Sequence, residues 1–171
     1  MFDDLLAANR RYRSEFRDSG LQGVAAKGLA VLTCIDSRID PLAMLGLGPG
    51  DAKIIRNAGA RVTDDALRSL VLAVNLLGVE RVCVVQHTSC AMAGTTDEQL
   101  RARIEEQRGV DASGWAFLPM DDQLRALHDD LERIEACPLL PSDLVVGGFI
   151  YDVHTGELAP VPRDSPRGAD R

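Results

Sequence analysis

The sequence predicts an α/β fold with a mostly parallel central β-sheet flanked by helices. Short apolar runs at residues 28–34, 52–59 and 80–90 have the composition of strands that are buried on both faces. Segments with helical periodicity alternate with these runs, and this order is typical of parallel strands joined by helices. A last strand within 143–161 turns at Thr155 and Gly156 into a short return strand.

The helical segments differ in where their apolar residues fall. Residues 2–18 predict an amphipathic helix, which either covers the core or packs on a partner subunit. Its apolar face would carry Phe2, Leu5, Leu6, Asn9, Tyr12 and Phe16, with Gly20 as its stop. The segment from Ala66 to Gly78 follows an N-cap at Thr63 and is apolar nearly all round, so we expect a deeply buried helix.

Two more helices are predicted in the second half of the chain. The first, at 95–108, is polar, and the second, at 121–136, has an apolar stripe. The stripe consists of Leu124, Leu127, Leu131 and Ile134. With 171 residues, of which 46% are apolar, the chain can form one domain, which we expect over 1–160. The proline-rich, charged segment 161–171 is predicted to be a disordered tail.

The charge balance argues against two classes of partner. The 26 acidic residues outnumber the 19 lysines and arginines, which gives a net charge of -7. We therefore expect no binding to nucleic acid or to an anionic membrane, and favour a small-molecule substrate. The sequence shows neither a signal peptide nor a membrane span, so the predicted location is the cytoplasm. In that reducing compartment the four cysteines should be buried, catalytic or metal-binding rather than paired in disulfides.

Three residues that can bind a metal follow predicted strands. Cys34 ends the first strand, and His87 and Cys90 end a later one with the spacing H-x2-C. Ligands of open α/β sheets bind beyond the carboxyl ends of the strands, so these side chains should meet. Two thiolates and an imidazole favour zinc, and three protein ligands leave a fourth position open, as in catalytic zinc sites.

Asp36 and Arg38 lie just beyond Cys34. The carboxylate of Asp36 could close the site as a fourth zinc ligand, or it could pair with Arg38 and leave that position free. Low pH could favour the closed arrangement. The same two residues could also form a loop ion pair with no catalytic part.

The motifs Cys34-Ile-Asp-Ser-Arg38, Arg56-Asn-Ala-Gly59, His87-Thr-Ser-Cys90 and the late segment 148–156 together resemble the β-class carbonic anhydrases of the short prokaryotic branch. The resemblance covers about residues 2–160. It implies a zinc enzyme that converts carbon dioxide to bicarbonate, with Cys34, His87 and Cys90 as ligands and Asp36 and Arg38 as catalytic residues. It also implies a homodimer or dimer-based oligomer whose N-terminal helix packs on the partner.

Two positions depart from the pattern of that branch. Ser89 stands where an aspartate is usual, and Ala91 stands where a glycine is usual. An alanine could alter the backbone if the glycine is needed for positive φ, and a lost acid changes the surroundings of the metal. Two alternatives therefore stay open: a carbonyl sulfide or carbon disulfide hydrolase, which the scaffold also resembles, and a non-catalytic zinc protein.

For the remaining candidate residues, structural roles are the simpler interpretation. Cys83 and Cys137 are expected to be core residues. The segment 56–59 either shapes a turn or contacts substrate. His128 and His154 could carry protons near pH 7, although surface histidines usually have no such role.

Overall fold

Five strands form the central sheet of this computed structural model, in which residues 1–17 and 20–163 are described. The strands are β1 (Leu29–Cys34), β2 (Ala52–Asn57), β3 (Arg81–His87), β4 (Val145–Tyr151) and β5 (Leu158–Pro160). Their order in the sheet is β2-β1-β3-β4-β5. The first four are parallel, and β5 returns antiparallel to β4. The predicted mostly parallel sheet is confirmed.

The helices begin where the sequence places capping residues. They are α1 (Asp3–Glu15), α2 (Asp64–Leu76), α3 (Asp97–Arg108) and α4 (Gln123–Glu135). Thr63 caps α2 by accepting from the Ala66 N–H, and Thr96 forms a capping box with Gln99 at the start of α3. These side chains satisfy N–H groups that have no partner within the helix.

The main core lies between the sheet and the helices α2 and α4. Its members are side chains of alternate strand residues and of one face of each helix, including Leu32, Val82, Val84, Leu70, Leu127 and Leu131. Gly148 on β4 makes close approach of α4 possible, because a Cβ there would lie 2.9 Å from Leu131 Cδ1. On the opposite face of the sheet, Val31 and Val85 pack with Met44 and Leu47, around a short 3₁₀ turn at Ala43–Leu45.

The prediction that α2 is deeply buried is wrong. Ala66, Leu70 and Ala73 are buried, but Leu72 is 43% exposed and Leu76 is 69% exposed. Only one face of α2 packs on the sheet of its own chain, so the apolar residues of the other face remain at the surface. Leu124 of α4 is likewise exposed, unlike the rest of its predicted stripe.

The helix α1 buries no side chain against the described part of its own chain. The large apolar side chains of this segment, at positions 2, 5, 6, 12 and 16, are all more than half exposed. The predicted amphipathic helix is therefore present, but it does not cover the core. Residue 18 of the predicted helix lies outside the described residues.

In the described part of the chain, none of the helices has the length and apolar composition that a membrane span needs.

The C-terminal end of the described chain follows β4. Of the predicted tail 161–171, residues 164–171 lie outside the described residues. The N–H of Val161 donates to the Gly148 carbonyl at 2.9 Å, so the chain runs along β4 up to this point.

Candidate metal centre

The sheet topology brings three potential metal ligands together. Cys34 is the last residue of β1, His87 is the last residue of the neighbouring strand β3, and Cys90 lies in the turn that follows β3. Their ligand atoms all lie within 4.8 Å of one another. All three residues are buried, with exposures of 4%, 1% and 7% in chain order. The group predicted from strand ends is thus assembled in the fold.

The imidazole of His87 is oriented as a metal ligand requires. Its Nδ1 lies 2.9 Å from the Thr88 carbonyl, which can only accept, so Nδ1 carries the proton and Nε2 keeps a free lone pair. Among the described residues Nε2 has no hydrogen-bond partner although it is buried. A buried polar atom without a partner is costly, and a metal ion would satisfy it. Gln86 also has unpartnered buried side-chain atoms, but they belong to an amide rather than a thiolate or imidazole. The residues present fit a metal ion.

The two neighbouring thiols shift each other's pKa in opposite directions. A hydrogen bond from the Cys90 thiol is the main cause that lowers the pKa of Cys34, and the same contact raises the pKa of Cys90. Cys34 Sγ also accepts from the Gly59 N–H at 3.3 Å. Gly59 itself has a φ of 79°, which glycine adopts without strain. The arrangement therefore favours a thiolate at Cys34, the form that binds metals.

Asp36 is turned toward Arg38. The guanidinium donates to both carboxylate oxygens, at 2.9 and 2.7 Å, and these hydrogen bonds lower the pKa of Asp36. Arg38 also donates to the Ser89 carbonyl at 3.1 Å, which ties the segment after β1 to the turn after β3. Asp36 Oδ2 lies 3.9 Å from His87 Nε2 and is not part of the group of three ligand atoms. The arrangement has three candidate protein ligands and a carboxylate beside them.

Comparison with known proteins agrees with this geometry. The sequence model of the carbonic anhydrase family matches residues 29–113. Beta-carbonic anhydrase 1 of Mycobacterium tuberculosis is 36% identical over 156 residues, which are 91% of this chain and 94% of the relative. The chain belongs to the β-carbonic anhydrase family.

Solved structures and further relatives of this family extend the comparison. The crystal structure of a carbonic anhydrase from Streptococcus mutans matches with a TM-score of 0.88 and 37% identity, covering 94% of this chain and 97% of that one. A carbon disulfide hydrolase of Acidithiobacillus thiooxidans is 30% identical over 192 residues, covering 97% of this chain and 84% of the relative. The proteins similar to this chain thus include some named as carbonic anhydrases and one named as a carbon disulfide hydrolase.

The β-carbonic anhydrase motif at 56–59 has a structural part in this chain. Arg56 donates to the backbone carbonyls of Cys34 and Asp36 at 2.9 and 2.7 Å, and so fixes the path of the segment between them. The Asn57 side chain closes a turn by exchanging hydrogen bonds with the backbone of Arg61. Of the two interpretations left open for this motif, the contacts support the turn.

The two departures from the usual β-carbonic anhydrase pattern have different consequences. Ala91 is not among the described non-glycine residues with positive φ, so its methyl group meets no backbone strain of that kind. Ser89 does have positive φ, at 54°. Its hydroxyl lies 3.2 Å from His154 Nε2, a contact that the sequence did not indicate.

Another feature of this β-carbonic anhydrase was missed in the sequence. Arg61 donates to buried Asp130 of α4 at 2.6 Å and to the Leu118 carbonyl at 2.9 Å. Burial raises the pKa of Asp130 even though Arg61 donates to its carboxylate. The pair holds the 57–61 turn, and with it the Gly59 N–H, against α4. An acid on the apolar stripe of α4 was the signal available in the sequence.

The other residues considered in the sequence lie apart from the three candidate ligands. Cys83 is half-buried in β3 and burial raises the pKa of its thiol, and Cys137 is half-buried after α4. Cys83 packs against the cluster of Val31 and Val85, in keeping with its predicted core role, whereas Cys137 belongs to none of the core clusters of the described residues. His128 lies on α4, and no hydrogen bond among the described residues links it to the site.

Proposed function

We propose that the protein catalyses the reversible hydration of carbon dioxide to bicarbonate and a proton, with zinc as its metal. The observation that carries this proposal is the buried group of Cys34, His87 and Cys90, with His87 Nε2 unpartnered, beside a carboxylate held by Arg38. Membership of the β-carbonic anhydrase family supports the same reaction.

The three ligands are assigned to zinc because of their chemistry. Thiolates and imidazoles are soft to borderline donors, which zinc prefers over the oxygen ligands that suit magnesium or calcium. Zinc supplies, when bound, a Lewis acid that lowers the pKa of a coordinated water to about 7. Two of the three ligands are cysteine thiols, which stay reduced in the cytosol, so we place the protein in the cytoplasm.

Asp36 and Arg38 are proposed as the catalytic pair. Arg38 occupies both oxygens of Asp36, which fixes the direction of the carboxylate. In this position Asp36 accepts a hydrogen bond from the attacking water and orients it toward carbon dioxide. Rotation of Asp36 onto the metal, the closed arrangement, would require breaking these two hydrogen bonds. A site closed by four protein ligands would favour the non-catalytic alternative.

We also propose that residues 1–160 form one domain that associates as a homodimer. The exposed apolar face of α1 and the exposed Leu72 and Leu76 of α2 support this assembly. Apolar surface of this extent on one chain is typical of an interface. In the dimer, α1 packs on the partner subunit.

The test is stopped-flow hydration of carbon dioxide by protein whose zinc content has been measured by mass spectrometry. We expect one zinc per chain and a rapid hydration rate. His87→Ala should lose both zinc and activity, because the unpartnered Nε2 is removed. Cys83→Ser is the matched control, since Cys83 lies outside the group and should keep the metal and the rate.

Carbon disulfide hydrolysis is the alternative reaction at the same site, and it is suggested by relatives with that name. Hydrogen sulfide release from carbon disulfide should be measured in parallel with hydration. Sulfide release without hydration would replace the proposed substrate. A fully zinc-loaded protein that acts on neither substrate would contradict the proposal and favour a non-catalytic role.

A further inference from the structure

His154 lies on the turn between β4 and β5, next to the candidate metal centre. Val153, its neighbour, packs against the cluster that contains Cys34 and Cys90. The Val153 N–H donates to the Thr88 hydroxyl at 3.2 Å, and the His154 N–H donates to Asp152 Oδ1 at 2.7 Å. These contacts anchor the turn to the segment that carries Cys90. The backbone of His154 is therefore held next to the site.

Ser89 joins this histidine to the catalytic pair. Its carbonyl accepts from Arg38 at 3.1 Å, and its hydroxyl lies 3.2 Å from His154 Nε2. Ser89 is exposed and precedes buried Cys90 in the chain, and His154 is exposed as well. The φ of Ser89 is 54°, so its backbone has a left-handed conformation that residues with a side chain rarely adopt. This conformation sets the direction in which the hydroxyl leaves the backbone.

We propose that His154 is a proton-transfer residue of this enzyme and that Ser89 is the residue that positions it. The inference rests on the proposed hydration of carbon dioxide. That reaction forms a C–O bond between water and carbon dioxide, moves one C–O π pair of carbon dioxide onto its oxygen, breaks an O–H bond of water and releases one proton. The candidate ligand atoms are buried. The released proton therefore has to move from the site to buffer in solvent.

The chemistry of the pair suits this task. A serine hydroxyl can accept one hydrogen bond and donate another, whereas an ionised aspartate at this position could only accept. The Ser89 hydroxyl can donate to Nε2 of the neutral imidazole and accept from the imidazolium, so it holds the His154 ring in both forms. His154 takes up the proton released from water, and buffer then removes one proton from the exposed imidazolium, so one proton moves from water to buffer and the imidazole is restored. An exposed imidazole can take up a proton on one ring nitrogen and release it again to buffer.

The charged groups around His154 are compatible with a cationic intermediate. Asp152 faces it from its own turn, and its carboxylate is hydrogen-bonded to the backbone of His154 and Thr155. The positive charge nearest to Ser89 is Arg38, which donates to the Ser89 carbonyl. Asp152 attracts the imidazolium, and Arg38 is separated from the ring by Ser89.

The test compares His154→Gln with His128→Gln in the full-length, zinc-loaded protein. Because buffer takes the proton after bicarbonate has formed, loss of the transfer residue should lower kcat and leave kcat/KM unchanged. We expect kcat of His154→Gln at low buffer concentration to fall about tenfold or more, and added imidazole to restore it. His128→Gln should behave like the wild type, because its side chain lies apart from the site.

A spectroscopic measurement makes the contact itself testable. The ring nitrogens of His154, assigned in NMR spectra by their loss in His154→Gln, should change in chemical shift in Ser89→Ala, and those of His128 should not. Unchanged shifts would overturn the positioning role of Ser89. An unchanged kcat in His154→Gln, or an equal loss in kcat and kcat/KM, would overturn proton transfer. Wild-type protein without hydration activity would remove the proposed function, and with it this inference, even if the NMR contact is present.

Discussion

At the scale of single residues, the site is defined by which hydrogen bonds each side chain has already used. His87 Nδ1 donates to a backbone carbonyl, and Nε2 has no hydrogen-bond partner among the described residues. Both oxygens of Asp36 accept hydrogen bonds from Arg38. Arg56 adds two hydrogen bonds to backbone carbonyls of the same segment. Among the described residues, the unpartnered Nε2 of His87 and the two thiols beside it are therefore the atoms available to a metal ion.

The geometry of the Asp36–Arg38 pair can be tested with Arg38→Lys. A lysine keeps the charge but cannot donate to both oxygens from a planar fork, so the carboxylate should lose its fixed direction. We expect kcat/KM for hydration to fall about tenfold or more while the zinc content stays unchanged. Stopped-flow rates and metal analysis of the same samples provide the measurement.

The matched control is Arg101→Lys. Arg101 pairs with Asp97 at 3.6 Å within α3 and donates to the Trp115 carbonyl at 2.7 Å, so its contacts involve none of the candidate ligands. It should leave the rate unchanged. Equal rates for Arg38→Lys and the wild type would show that the paired geometry has no catalytic part.

Part of the site could be predicted from the sequence, for a topological reason. Cys34, His87 and Cys90 each follow an apolar run, and adjacent parallel strands end at one edge, so their meeting follows from strand order. The hydroxyl contact of Ser89 with His154 could not be predicted, because it depends on a positive φ at a serine. The ion pair of Arg61 and Asp130 depends on how α4 lies across the sheet, which no local pattern determines.

At the scale of elements, α4 packs on β4 and contacts the end of β3 beside the site. Leu127 and Leu131 lie directly against Gly148, and Gln123 at the start of α4 donates to the His87 carbonyl at 3.0 Å. The exposed residues of α2 were mispredicted at this same scale. Periodicity identifies an apolar surface but does not say whether that surface meets its own sheet or another chain.

Gly148→Ala tests the close approach of helix and strand. The added methyl group would lie 2.9 Å from Leu131 Cδ1 and 3.2 Å from Leu127 Cγ, both in buried residues. Overpacking of this kind should lower the free energy of unfolding by about 1–3 kcal/mol. Urea denaturation followed by circular dichroism measures the change.

Gly114→Ala serves as the comparison for that substitution. A Cβ at Gly114 meets no atom within 4 Å, and its φ is not positive, so the free energy of unfolding should stay within about 0.5 kcal/mol. If both variants had the same stability as the wild type, α4 would not be in tight contact with β4 in solution.

At the scale of the whole molecule, α1 is the element whose position is explained by the proposed dimer. Leu5 and Tyr12 share one face of α1, Phe16 follows the last residue of α1, and each of the three is more than half exposed in the single chain. Burying such side chains contributes about 1.5 kcal/mol or more each. Removing two of them should therefore weaken a dimer without affecting the sheet.

The variant for this prediction replaces Leu5 and Phe16 with glutamine, and its control replaces Arg11 and Ser14 on the opposite face. Because each of the two subunits loses two apolar side chains, we expect the first to weaken the dimer by about 6 kcal/mol, which raises its dissociation constant about ten-thousandfold. Sedimentation velocity over a range of protein concentrations gives the constant. Equal dissociation constants for the two double variants would mean that this face of α1 is not at the interface.

The division of the three candidate ligands between two strands also has a consequence for folding. An unfolded chain offers His87 and Cys90 as near neighbours, but Cys34 joins them only after β1 and β3 have paired. Since loop closure between distant residues costs entropy, a metal held by all three would favour the chain in which this central pairing has formed. Metal uptake in a refolding experiment would then report the moment at which the middle of the sheet is complete.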